Sequence, residues 1–281
     1  TSRAMNLSPV SFFLQQRFFI CLLGICNLLL YTQTVAQNYN LALNATVPVT
    51  GGAEMSDVWG FERGNRSYVI STRTNGIAIV DITTPSAPVE KLNVSGPNTY
   101  WRDAKVWGNY AYITNEASGG LQIIDLSPLP AGSLSAANVS YWTGGMWNSS
   151  NINFSTAHNI FIDENGIAYL LGSNYGVGGA IMLNLNTNPT NPPIVGIYNQ
   201  RYVHDAFARG DTLWAAEINN GIFSVINVTN KANPVVMATQ ATSSNFTHNL
   251  WLSNNGHYLF TTDETSGAYI DAYDVSDLTD I

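Results

Sequence analysis

One phrase recurs along this chain and limits what it can fold into: a turn glycine, a run of apolar residues, an Asp or Asn, then a polar turn. It reads Gly76-Ile77-Ala78-Ile79-Val80-Asp81-Ile82-Thr83 and again Gly120-Leu121-Gln122-Ile123-Ile124-Asp125-Leu126-Ser127. Looser copies run from Ala180 to Asn186, Gly221 to Thr229 and Tyr269 to Ser276. The Asp or Asn positions (Asp81, Asp125, Asn184, Asn227, Asp274) are spaced 44, 59, 43 and 47 residues apart. A period near 45 residues is that of propeller blades, in which each repeat is a four-stranded meander. Five blades are visible.

Each phrase sits inside a longer unit. In the third, the pattern predicts strands over Ala157 to Ile162, Ile167 to Leu171, Ala180 to Leu185 and Ile194 to Tyr198. Pro-containing turns such as Thr84-Pro85-Ser86-Ala87-Pro88, Asn188-Pro189 and Asn233-Pro234 separate the third and fourth strands, where a proline costs no ladder bond. Charged residues make up only 11% of the chain, too few to clothe exposed helices, and no dozen residues show a helical period. The fold class expected is all-β, a β-propeller of four-stranded antiparallel blades occupying 53–281. The loop from Tyr141 to Asn148 stretches the third repeat and marks an insertion.

The first 36 residues read as an export signal. Arg17 precedes the apolar run Phe18 to Leu30, and Thr34-Val35-Ala36 supplies small residues for cleavage. Met5 is read as the start, with 1–4 an upstream artefact. Residues 37–52 form an N-terminal segment whose Leu41, Leu43 and Val47 alternate as in an outer strand that closes a ring. Both cysteines, Cys21 and Cys26, fall inside the signal, so the exported chain has no disulfide or thiolate site. Without Arg3 and Arg17, nine basic residues face 19 acidic ones, a net charge near −10 that disfavours nucleic acid and anionic membranes.

The phrases and the dipeptides that open each unit resemble the LVIVD-repeat propellers of the choice-of-anchor B group, from about Ala53 to Ile281. The resemblance implies a secreted or cell-surface protein, often with a C-terminal sorting tail, and no activity to transfer. Because Ile281 follows a third strand, it also implies a chain truncated from six or seven blades, its surface anchor lost with a missing tail.

The innermost strand of each unit begins with a polar pair: Ser56-Asp57, Arg102-Asp103, His158-Asn159, His204-Asp205 and His248-Asn249. These pairs are expected to ring one mouth of the channel, with Glu116, Glu217, Asp263 and Glu264 at the ends of the second strands beside them. Two roles compete. Short polar side chains fasten backbone between neighbouring blades, and buried polar groups need such partners. Alternatively His158, His204 and His248 suit a divalent metal such as zinc, copper or calcium, while Arg102 would turn the ring into an anion pocket. The expected function is a secreted or cell-surface binding or adhesion module for an extracellular protein or glycan. The alternative is a propeller hydrolase or oxidoreductase with a metal or anion at the channel mouth. No catalytic residue is assigned, since no Ser-His-Asp order, nucleophile elbow or HExxH is present.

Overall fold

A computed structural model describes residues 41–49 and 53–281. Four four-stranded antiparallel meanders and one three-stranded meander follow one another. The first is β1 (Met55–Arg63), β2 (Arg66–Arg73), β3 (Gly76–Asp81) and β4 (Val89–Ser95). The second is β5 (Ala104–Trp107), β6 (Tyr110–Ile113), β7 (Leu121–Asp125) and β8 (Val139–Trp142). A hairpin of β9 (Gly144–Trp147) and β10 (Ser150–Asn153) precedes the third, which is β11 (Asn159–Ile162), β12 (Ile167–Leu171), β13 (Ala180–Asn184) and β14 (Ile194–Tyr198). The fourth is β15 (Asp205–Arg209), β16 (Thr212–Glu217), β17 (Ile222–Asn227) and β18 (Val235–Ala241). The fifth comprises β19 (Thr247–Leu252), β20 (Tyr258–Asp263) and β21 (Ile270–Asp274).

The recurring phrase is the third strand of every blade, and its residue types follow from its place. In blades 1 to 4 that strand is covered on both faces, while β21 of blade 5 is largely exposed; in blade 2 its side chains feed two cores in alternation, Leu121 and Ile123 packing against blade 3 and Ile124 against blade 1. The same division sends Phe223 and Val225 toward blade 5 and Ile226 toward blade 3. Four apolar clusters thus lie between successive sheets, and burying both faces explains the near-continuous apolar run. The phrase's opening glycine answers a close approach, since a Cβ at Gly76 or Gly120 would collide with the carbonyl of Val94 or Trp142 on the fourth strand. Its closing Asp or Asn accepts the N–H two residues on in all five copies: Asp81 from Thr83, Asp125 from Ser127, Asn184 from Asn186, Asn227 from Thr229 and Asp274 from Ser276. That Asx turn starts the reversal toward the fourth strand.

The first strands of successive blades touch in order, β1 to β5, β5 to β11, β11 to β15 and β15 to β19. This places the polar pairs around one axis. The insertion is the β9–β10 hairpin, turned by Asn148 and Ser149 at φ 47° and 64°. Its neighbour Trp142 is not part of a loop but a buried core residue at the end of β8. Residues 41–49 contain no strand, and the segment read as an export signal lies outside the described residues. Among the described residues no helix is long and apolar enough to cross a membrane.

Candidate functional site

The first members of the five polar pairs, Ser56, Arg102, His158, His204 and His248, all line one cavity of about 510 Å³. The second members divide by depth: Asp205 and Asn249 line only a smaller cavity of about 180 Å³ further along the channel, while Asp57, Asp103 and Asn159 border both. The pairs therefore build two polar layers.

The deeper layer fastens the hub. Asp57 accepts the N–H of Ala104 at 3.1 Å, joining blade 1 to blade 2, and Asp103 accepts that of Ile160 at 3.1 Å, joining blade 2 to blade 3. Asn249 donates its amide to Asp205, joining blades 4 and 5. Lys105 bonds Asp103 at 2.7 Å and lies 4.5 Å from the centre of the Trp59 ring. Burial pushes the carboxyls of Asp57 and Asp205 up to about 7, and for Asp57 the hydrogen bond and charge of Asp103 add to the rise.

The outer layer is fastened in one half and open in the other. Ser56 Oγ donates to the carbonyl of Tyr100 at 2.7 Å and accepts the N–H of Arg102 at 2.9 Å. Arg102 is 4% exposed, and its guanidinium donates to the carbonyls of Arg73 at 2.9 Å and of Pro97. With its donors aimed at backbone, Arg102 is a fastener, which departs from the anion pocket expected of it. The three histidines instead form a file, with ring centres 4.0 Å apart between His158 and His204 and 4.5 Å apart between His204 and His248.

Each histidine is anchored differently. His158 Nδ1 lies 2.6 Å from Glu116 Oε1. His204 Nδ1 donates to the carbonyl of His248 at 3.1 Å, and burial together with the neighbouring imidazoles pushes its pKa down to about 4. His248 is also shifted down by burial, and its Nε2 stands 3.8 Å from Glu264 Oε2. Ligating atoms of His204, His248 and Glu264 all lie within 4.8 Å of one another. The convergent set thus contains Glu264 where three histidines were expected, and His158 pairs with Glu116 instead.

Two other expected rim carboxylates are turned away. Glu217 is fully buried, accepting from Tyr198 Oη at 2.9 Å and Arg201 Nη1 at 3.3 Å, and does not line the mouth. Asp263 accepts from Thr242 Oγ1 and the N–H of Ser244, both at 2.6 Å. Strand direction locates a residue along the axis but not the side of the sheet its side chain takes.

Sequence reasoning missed the aromatic part of the wall: Trp101, Tyr202 and Phe246, with Asn219 beside them. A signal existed for two of them, since Tyr202 and Phe246 each stand two residues before the first member of a polar pair, whereas Trp101 stands one residue before Arg102. Trp101 and Phe246 are exposed, at 53% and 40%.

The LVIVD repeat model matches residues 63–96 and 100–134, the first two copies of the phrase. Among solved structures, the chain is similar to a functionally unknown protein from Desulfotomaculum acetoxidans DSM 771, at 12% identity and TM-score 0.56, covering 80% of this chain and 67% of that one. It is also similar to a proposed 6-phosphogluconolactonase from Bacteroides uniformis ATCC 8492, at 11% identity and TM-score 0.57, covering 77% of this chain and 66% of that one. At such identities the likeness concerns the fold alone. The chain spans about two thirds of the length of these structures. No curated protein matches it in sequence.

Proposed function

From LVIVD repeats on a propeller scaffold, we propose that this chain is an exported binding module whose ligand is a glycan held at the channel mouth. The observation that carries this reading is the composition of the outer cavity. Exposed Trp101 and Phe246 and the half-buried Tyr202 offer ring faces, while Asn219, Glu264 and the histidines offer hydrogen-bond partners between them. Flat apolar rings suit the C–H faces of a sugar, and amides, imidazoles and carboxylates suit its hydroxyls. A volume of about 510 Å³ falls in the range of small-ligand sites.

The acidic surface fits a neutral or basic glycan better than a sulfated one. Isothermal titration of neutral oligosaccharides against the purified protein tests the proposal. Binding weakened at least about tenfold by Trp101→Ala, at an unchanged melting temperature, is the expected result, since an exposed ring contributes contact to ligand rather than to the fold. Absence of saccharide binding across a neutral glycan panel, or indifference of binding to Trp101→Ala, overturns it.

A further inference from the structure

Imidazole nitrogens and carboxylate oxygens bind borderline divalent metals when they converge and when each imidazole is neutral. His204, His248 and Glu264 meet the first requirement, with ligating atoms within 4.8 Å of one another. They come from two blades: His204 just before β15, His248 within β19, and Glu264 just after β20. Such side chains are held by separate strands of the hub, so convergence follows from the fold and not from local sequence.

The tautomer of His204 is fixed by the fold. Its Nδ1 proton goes to the carbonyl of His248 at 3.1 Å, which leaves Nε2 with its lone pair. A ligating histidine ordinarily donates its second nitrogen in this way, and the bond orients the ring. Glu264 is the adjustable member, with its side chain 57% exposed and 3.8 Å from His248 Nε2. Around an ion with bonds of 2.0 to 2.1 Å, tetrahedral ligand atoms stand about 3.4 Å apart. Glu264, as the exposed member, is free to rotate toward the two imidazoles.

We propose that His204, His248 and Glu264 bind a divalent transition metal of the zinc class, with a coordination position open to the channel-mouth cavity. Two nitrogens and one oxygen disfavour calcium, which takes six or more oxygens. Three protein ligands beside a cavity are the arrangement that leaves a fourth position for water or a ligand oxygen. His158 stands outside the set because its ring nitrogens do not join the convergent group, and its Nδ1 pairs with Glu116 at 2.6 Å instead.

The experiment is calorimetric titration of chelator-stripped full chain with zinc chloride, paralleled by cobalt(II) and its visible absorption as a reporter of four-coordination. One ion per chain is expected, with affinity lowered at least about tenfold in Glu264→Gln and further in His248→Ala. His257→Ala, which alters a turn remote from the mouth, should bind as the parent does. His204→Ala removes a hub bond as well as a ligand, so the exposed Glu264 and the half-buried His248 carry the test, with circular dichroism confirming that each variant is folded. No stoichiometric zinc, or equal affinity in Glu264→Gln and His248→Ala, overturns the proposal. Zinc kept by Glu264→Gln but lost by His158→Ala overturns this ligand set in favour of three imidazoles. No saccharide is present in the titration, so failure here leaves the glycan reading standing, and failure of saccharide binding leaves the metal standing.

Discussion

Blades 1 and 2 use the first position of the polar pair differently from blades 3 to 5. In the first half, Ser56 and Arg102 direct their polar atoms to backbone, through bonds to Tyr100, Arg73 and Pro97. In the second half, the same position carries His158, His204 and His248, whose tilted rings stand in file along the cavity wall. One repeat position therefore serves the scaffold on one side of the mouth and presents chemistry on the other. The LVIVD repeat match covers the scaffold side, at 63–96 and 100–134, while the departures in the phrase and in the pair fall on the histidine side.

If the division is real, the largest loss of stability should come from the first half. Arg102→Met keeps the apolar stem but strands the carbonyls of Arg73 and Pro97, and hydrogen bonds to a buried charged group are among the strongest. A loss of about 3 kcal/mol in urea unfolding is expected. A change below about 1 kcal/mol would mean that the guanidinium is dispensable to the hub, and the halves would no longer differ.

His204 is the histidine most committed to the scaffold, and the next effect should be its own. His204→Ala unpairs the His248 carbonyl inside a site where His204 is only 8% exposed. We expect a loss of about 1 to 2 kcal/mol, measured with chelator present so that no bound metal adds to the parent's stability. A cost as large as that of Arg102→Met would place His204 with the fasteners of the first half.

A third effect belongs to the deeper layer and depends on pH. Asp57 faces Asp103, Lys105 and Asp205, and its pKa in the folded chain, raised to about 7, exceeds its ordinary 3.8. Between those values the folded protein holds a proton that the unfolded chain releases, so this group lowers stability as pH rises from about 4 to 7. Urea midpoints at pH 5 and pH 8 should therefore fall with pH in the parent. Asp57→Asn should flatten that fall, and a parent whose stability rises over the interval would refute the assignment.

Much of this scaffold was legible because its determinants are local. The third-blade strands Ile167–Leu171 and Ile194–Tyr198 lie where alternation and turn residues predict them. The phrase itself encodes two-sided burial, a glycine under a neighbouring carbonyl and an Asx turn. The polar pairs were legible as a ring because the period places them at the same height on every first strand. What was not legible depends on side-chain direction. Glu217 ends β16 as expected yet turns to Tyr198 and Arg201, and Glu264, one residue beyond β20, reaches the cavity where Asp263 does not. The β9–β10 insertion was marked but read as a loop, because Asn148 and Ser149 make its turn without the glycine that usually advertises a hairpin.

The smallest expected effect sharpens the comparison most. Glu116 and His158 form a close pair at 2.6 Å, yet their side chains are 36% and 16% exposed, and pairs open to water contribute about 0 to 1 kcal/mol. The backbone around His158 is secured independently, since its N–H donates to Leu171 O at 2.9 Å and its carbonyl accepts from Thr114 Oγ1 at 3.4 Å. Glu116→Gln keeps the shape and an acceptor oxygen while removing the charge. Its unfolding free energy should change by less than about 1 kcal/mol, in contrast to Arg102→Met, which alters the position equivalent to His158 one blade earlier. Because the scaffold does not depend on the pair, a change in saccharide affinity in Glu116→Gln would report on the cavity wall itself. A loss above about 2 kcal/mol would show His158 to be braced by Glu116 as Arg102 is braced by backbone, and the two halves of the mouth would then be one continuous fastener ring.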